Sequence, residues 1–165
     1  VPRISSTLKN QAHLYPLHLL LFTIPGSPSI YYGSEWGIEG VKKNHSDKSL
    51  RPSLELEHMS NYPNSDLIDT IRKMSNIWHS SIALKYGIYK ELLTTSEQFI
   101  FSREYSNEKI IIAINSSDTP VEITIPMDSS INRVNDLLNM ESFSFSNGGL
   151  KITIPSTWGR ILKVD

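Results

Sequence analysis

The chain has 165 residues, 39% of them hydrophobic, with 16 Lys and Arg against 17 Asp and Glu for a formal net charge of -1. That balance gives no electrostatic ground for nucleic acid or an anionic membrane as partner, and no apolar run reaches the 18 residues of a membrane span. The absence of Cys excludes disulfides, thiolate catalysis and Cys-based metal sites, and it fits a reducing compartment such as the cytoplasm without deciding localisation.

The chain opens Val1-Pro2-Arg3, without Met and without a signal peptide's basic and apolar regions, so it is expected to be internal to a longer protein. From Gln11 to Thr23 the pattern is helical: Leu14, Leu17 and Leu21 form one stripe, and Leu19, Leu20 and Phe22 extend it around the circumference. Pro16 suits the first turn, where a missing N–H costs nothing, and Pro25-Gly26 ends the helix. A short strand is predicted at Ile30–Tyr32, followed by a long loop rich in Gly and charge that runs to Leu56. Connections beyond about 12–15 residues in a compact domain are usually functional or disordered, which makes Ile24–Leu56 the stretch to watch. A second helix is expected from the Pro63-Asn64-Ser65-Asp66 start, with Leu67, Ile71, Met74, Trp78 and Ile82 on its apolar stripe. Gly87 stops it.

After Gly87 the period changes from 3.6 to 2. Strands are predicted at Ile88–Leu93, Gln98–Tyr105, Lys109–Asn115, Val121–Ile125, Asn132–Leu137, Leu150–Ile154 and Arg160–Val164. Turn residues separate them, as at Ser106-Asn107 and Ser146-Asn147-Gly148-Gly149, and the spacing argues for an antiparallel β-sandwich. The helix–strand–helix segment before Gly87 cannot bury a helix this apolar, and a lone parallel-type strand leaves its backbone unpaired. It reads as the end of a larger α/β structure.

The run Leu19-Leu20-Leu21-Phe22-Thr23-Ile24-Pro25-Gly26-Ser27-Pro28-Ser29-Ile30-Tyr31-Tyr32-Gly33-Ser34-Glu35 resembles the LLLTLPGTPxIYYGDE passage of the α-amylase superfamily (glycoside hydrolase family 13). Gly37-Ile38-Glu39-Gly40, Asp47 and Arg51-Pro52 continue the likeness, and Leu67–Tyr86 resembles that family's last barrel helix. In the β region, Phe101-Ser102-Arg103, Ile110–Asn115, Asn135-Asp136-Leu137-Leu138-Asn139 and Trp158-Gly159-Arg160-Ile161-Leu162 resemble its C-terminal domain.

The fold so implied is an α/β barrel remnant over residues 1–86, the C-terminal part of a (β/α)8 catalytic barrel, followed by an all-β antiparallel sandwich over 87–165. Val1-Pro2-Arg3 resembles the tail of the family's NHDxxR segment, which places all three of its catalytic carboxylates upstream of Val1. Retaining glycoside cleavage needs two carboxyls about 5–5.5 Å apart. The resemblance therefore implies a parent enzyme acting on α-1,4-linked glucose oligomers or polymers, and a chain that is inactive alone. Glucosyl transferases and isomerases share these motifs. A non-catalytic carbohydrate-binding or structural sandwich module is the reading from another class.

Asp47 and Arg51 resemble a pair that holds a glucose in several family members. A carboxylate accepts from neighbouring hydroxyls while a guanidinium fork donates. The alternative is an i,i+4 loop salt bridge. Trp36 suits either stacking on a sugar or anchoring the loop, and Arg3 either the floor of the site or a buried structural pair. Glu35 is read as structural, and Ser34 departs from the family's usual Asp. His13, His18, His45, His58 and His79 lack zinc-ligand spacing, and Trp78 is expected in the core. Calcium is common in the family, with its usual ligands upstream of this chain. The helix and strand left without barrel neighbours are expected to expose an apolar patch and to drive self-association.

Overall fold

The computed structural model describes residues 1–43, 46–55, 57, 64–131, 133–145 and 149–165. The expectations placed on His45, Leu56, His58, Pro63, Asn132 and the Ser146–Gly148 turn lie outside the described residues. Three helices lead: α1 (Leu14–Thr23), α2 (Leu67–Ser80) and α3 (Ile82–Tyr86). Pro16 sits in the first turn of α1, and Ile24 leaves it in extended backbone. Leu67, Ile71, Met74 and Ile77 form the buried stripe of α2, while Trp78 is only partly buried beside them. Ser81 separates α2 from α3 in extended conformation, and its hydroxyl accepts from Leu84 N.

Eight strands follow among the described residues: β1 (Ile88–Thr94), β2 (Gln98–Tyr105), β3 (Glu108–Asn115), β4 (Val121–Pro126), β5 (Arg133–Asp136), β6 (Glu141–Ser144), β7 (Gly149–Ile154) and β8 (Trp158–Val164). They form a six-stranded antiparallel sheet in the order β1-β2-β3-β8-β5-β6, with β4 and β7 paired in a second sheet. The alternation along β3 shows how the layers assemble. Ile110, Ile112 and Ile114 face the helices with Phe101 and Ile161, while Ile111 and Ala113 face β4–β7 with Ile100 and Leu162. The centre of the large sheet is thus buried on both sides, by helices on one face and by two strands on the other, while β1 at its edge is exposed.

One expectation is corrected. Ile30–Tyr32 is not a strand: these residues run through irregular backbone into a turn at Tyr32–Gly33. A parallel-type strand exists only as part of a ladder, and no described strand lies beside this one to supply it.

The helices and the sandwich share a core. Leu14, Leu19 and Leu84 belong to the same buried cluster as Phe101, Ile110 and Ile161. Gly159 marks the closest approach, since a Cβ there would run into Leu19 and the carbonyl of Ala113. Arg103, 1% exposed, donates from Nη1 to the carbonyl of Thr23 at 2.8 Å and from Nε to that of Gly87 at 3.2 Å. The Thr23 carbonyl lies at the C-terminus of α1, where the partial charge is negative, and that of Gly87 lies just past α3, so among the described residues this guanidinium is met by backbone carbonyls. Burial still holds its pKa below the usual arginine range. At the opposite end of the sheet, Arg160 is paired with Asp136 at 2.8 Å and Glu141 at 2.9 Å, and Asp136 Oδ1 also accepts from Leu138 N.

Candidate functional site

The segment between α1 and α2 turns on backbone that only certain residues allow. Gly33 has φ +84, and a Cβ there would lie 3.3 Å from Arg3 Nη1. Two single-turn 3-10 helices, Ser34–Trp36 and Lys48–Leu50, carry the chain out and back.

Arg3 holds this path together. Its backbone N–H donates to Gly40 O at 2.9 Å, Nη1 donates to Tyr32 O at 2.9 Å, and Nε and Nη2 donate to Leu50 O at 3.1 and 2.8 Å. The guanidinium lies 4.9 Å from the Tyr31 ring centroid and 5.3 Å from that of Tyr32. Charge-assisted bonds of this kind are about twice as strong as neutral ones. The guanidinium of Arg3, 6% exposed, thereby ties the loop at Tyr32 to the loop at Leu50, while the Arg3 backbone N–H holds Gly40. Its partners are backbone carbonyls, and Arg3 also lines the cavity formed beside this loop.

The loop, α1 and the N-terminal residues enclose a cavity of about 450 Å³. Leu17, Leu21 and Ile30 form its apolar side, and Arg3, His18, Tyr31, Asp47 and Arg51 its polar side. The loop thus brings Asp47 and Arg51 to one cavity. Their side chains are arranged differently from a simple i,i+4 bridge: Lys42 Nζ pairs with Asp47 Oδ1 at 3.3 Å, and Arg51 meets Asp47 through its backbone N–H on the Asp47 carbonyl at 3.1 Å. Trp36 is not among the residues lining this cavity; its turn lies against α2. Tyr31, which no sequence signal separated from Tyr32, does line it, and so does His18.

His18 is buried, its Nδ1–H placed to donate to Leu14 O at 2.7 Å, which leaves Nε2 as the acceptor. Burial pushes the imidazole below its usual range, against smaller upward pulls from the Leu14 carbonyl and Glu35. Glu35 Oε2 is buried with no hydrogen-bond donor among the described residues. His13 Nε2 meets Ser116 O at 2.9 Å, a link between the helical segment and the sandwich. Among the described residues no group of three His, Cys, Asp or Glu is placed to hold a metal.

A family model described as "Alpha-amylase C-terminal domain" matches residues 87–162. The chain is similar to a cyclomaltodextrinase of Geobacillus thermopakistaniensis, 28% identical over 141 residues, covering 84% of this chain and 23% of the relative. It is similar to a cyclomaltodextrin glucanotransferase of Bacillus sp. (strain 38-2), 29% identical over 139 residues, covering 79% and 18%. Among solved structures, the Nostoc punctiforme debranching enzyme matches with TM-score 0.74 and 28% identity, over 98% of this chain and 31% of that one. An Anoxybacillus α-amylase superposes with TM-score 0.81 at 22% identity, over 94% and 33%, a likeness of fold. The chain spans between 18% and 23% of the length of the first three curated relatives.

Proposed function

Because the chain belongs to the α-amylase superfamily, we propose that it is the C-terminal portion of a retaining, α-glucan-acting glycosidase, supplying one wall of the substrate site and a stabilising sandwich. In this reading residues 1–86 complete a (β/α)8 barrel, and residues 87–165 form the C-terminal domain packed on it. The observation that carries it is the cavity lined by both Asp47 and Arg51, in a chain whose residues 87–162 match an α-amylase C-terminal domain.

The chemistry assigned to this chain is binding. Asp47 accepts from adjacent sugar hydroxyls and Arg51 donates to them, while Lys42 keeps the Asp47 carboxylate oriented. Bond cleavage belongs to a pair of carboxyls outside this chain, about 5–5.5 Å apart. A glucosyl transferase of the same superfamily would use the same wall, since the curated relatives include both hydrolases and glucanotransferases by name. The apolar side of the cavity is then a face meant for the rest of the barrel, and in isolation it drives self-association.

Maltotriose added to the 165-residue chain should shift backbone amide signals of the loop around Asp47 and Arg51 and release no reducing sugar. Hydrolysis by the chain alone, or shifts confined to the sandwich, would reject this assignment.

A further inference from the structure

We propose that the sandwich sets the position of the loop beside the cavity through His13 and Gln11, two positioning residues on the 3-10 turn Gln11–His13. The sandwich thereby gains a task in the binding wall proposed above; that task rests on the same reading, while the bonds themselves need no ligand. The path starts at the corner that follows β3. Asn115, fully buried, accepts from Ser117 N at 3.1 Å and donates to the carbonyls of Thr119 at 2.9 Å and Pro155 at 3.1 Å. That side chain fixes the shape of the corner, which presents Ser116 O to the helical segment.

The contacts then run in series. His13 Nε2 lies 2.9 Å from Ser116 O, and because a carbonyl only accepts, this nitrogen carries the proton. Asn10, which caps the same turn by accepting from Ala12 N, reaches Asp118 Oδ1 at 3.3 Å. Two residues before His13, Gln11 Nε2 donates to Ser5 O at 2.9 Å and lies 3.4 Å from Glu39 Oε1. Ser5 is buried in the 3-10 turn Ile4–Thr7, whose Ser6 hydroxyl accepts from Gly40 N at 2.8 Å. Arg3, beside that turn, donates its own N–H to Gly40 O and its guanidinium to Tyr32 O and Leu50 O.

Each joint is a directional bond between single-turn elements, so the path has little slack. Gly40 shows how closely its far end is packed: a Cβ there would lie 2.4 Å from Ser49 O and 3.1 Å from Arg3 Cδ. A contiguous chain of hydrogen bonds couples its two ends when breaking one bond loosens the others, and local opening rates report that loosening. Removing the His13 ring frees the turn from the sandwich, and removing the Gln11 amide cuts the turn from Ser5 and Glu39. Either change leaves Arg3 and the loop it holds less tightly placed.

Native-state hydrogen exchange of the 165-residue chain tests this. In His13→Ala the amides of Ser6, Gly40 and Leu50, beyond the broken contact, should exchange about five- to tenfold faster, the loss expected for one hydrogen bond, while Ile111 and Ile112 in β3 keep their rates. His13→Gln, whose side-chain amide donates to Ser116 O in place of Nε2, should stay within about twofold of the parent sequence. Gln11→Ala should speed the same three amides, and the double variant should add little to either single change, because the two residues act in series. If His13→Ala loses the native spectrum, Gln11→Ala carries the test, with the same acceleration expected. Acceleration confined to residues 10–14, or spread evenly into β3, overturns the relay, and so does a His13→Gln variant as fast as His13→Ala. No sugar enters this assay, so the relay stands or falls separately from the binding wall, which the maltotriose titration above decides.

Discussion

Replacing Arg103 by Met tests how the sandwich grips the helices. The side chain is 1% exposed and reaches the carbonyls of Thr23 and Gly87, at the ends of α1 and α3. Met fills much of the arginine stem's space but donates nothing, stranding two buried carbonyls at about 1–3 kcal/mol each. Removing a desolvated guanidinium offsets part of that loss. The expected net destabilisation is about 2–4 kcal/mol, a large fraction of a typical domain's stability. With a urea slope of about 1–3 kcal/mol per molar, the midpoint should fall by about 1–2 M. Arg103→Lys reaches one carbonyl at a time and should lose roughly half as much. Equilibrium urea unfolding followed by tryptophan fluorescence and far-UV circular dichroism would measure both. An Arg103→Met midpoint indistinguishable from that of the parent sequence would refute the carbonyl-clamp reasoning.

Three further outcomes follow from the same packing. His18 is held below its usual 6.5 by burial, so the unfolded state takes up its proton first; the stability of the neutral form is full above 6.5 and declines as pH drops below it. His18→Gln should flatten that acid-side decline, and an unchanged slope would remove His18 as its cause. A truncated chain of residues 87–165 would bare Phe101, Ile110, Ile112 and Ile161, which the helices now cover, so it should bind a hydrophobic dye and unfold at lower urea than the whole chain. Sedimentation of the 165-residue chain should show concentration-dependent association that maltotriose, competing for the cavity face, reduces; a single monomeric species without dye binding would contradict this.

The sandwich was legible because its strands alternate. Gln98–Tyr105 matches β2 residue for residue, and the continuous run Ile110–Ile114 does mark a strand buried on both faces. Strand β6 was not: Glu141–Ser144 carries a single apolar residue, Phe143, and depends on register with β5 for its identity. Ile30–Tyr32 failed for the opposite reason, a strand-like composition with no ladder to join. At the cavity, Asp47 and Arg51 were singled out by their resemblance to family residues, and both line it. Lys42 and Tyr31 were not, since their roles arise from a loop path set by Arg3, whose partners are backbone carbonyls 29 and 47 residues away. No residue-type pattern records a bond to a carbonyl.

If, as proposed, this chain completes an α-glucan-acting enzyme, the cleaving carboxylates lie in another part of the same polypeptide. Sequencing the transcript upstream of the Val1 codon tests it most directly. The expected result is an open reading frame ending Asn-His-Asp immediately before Val1, continuous with a barrel that carries the remaining carboxylates. An initiation codon directly before Val1, or an upstream frame without those carboxylates, would contradict it.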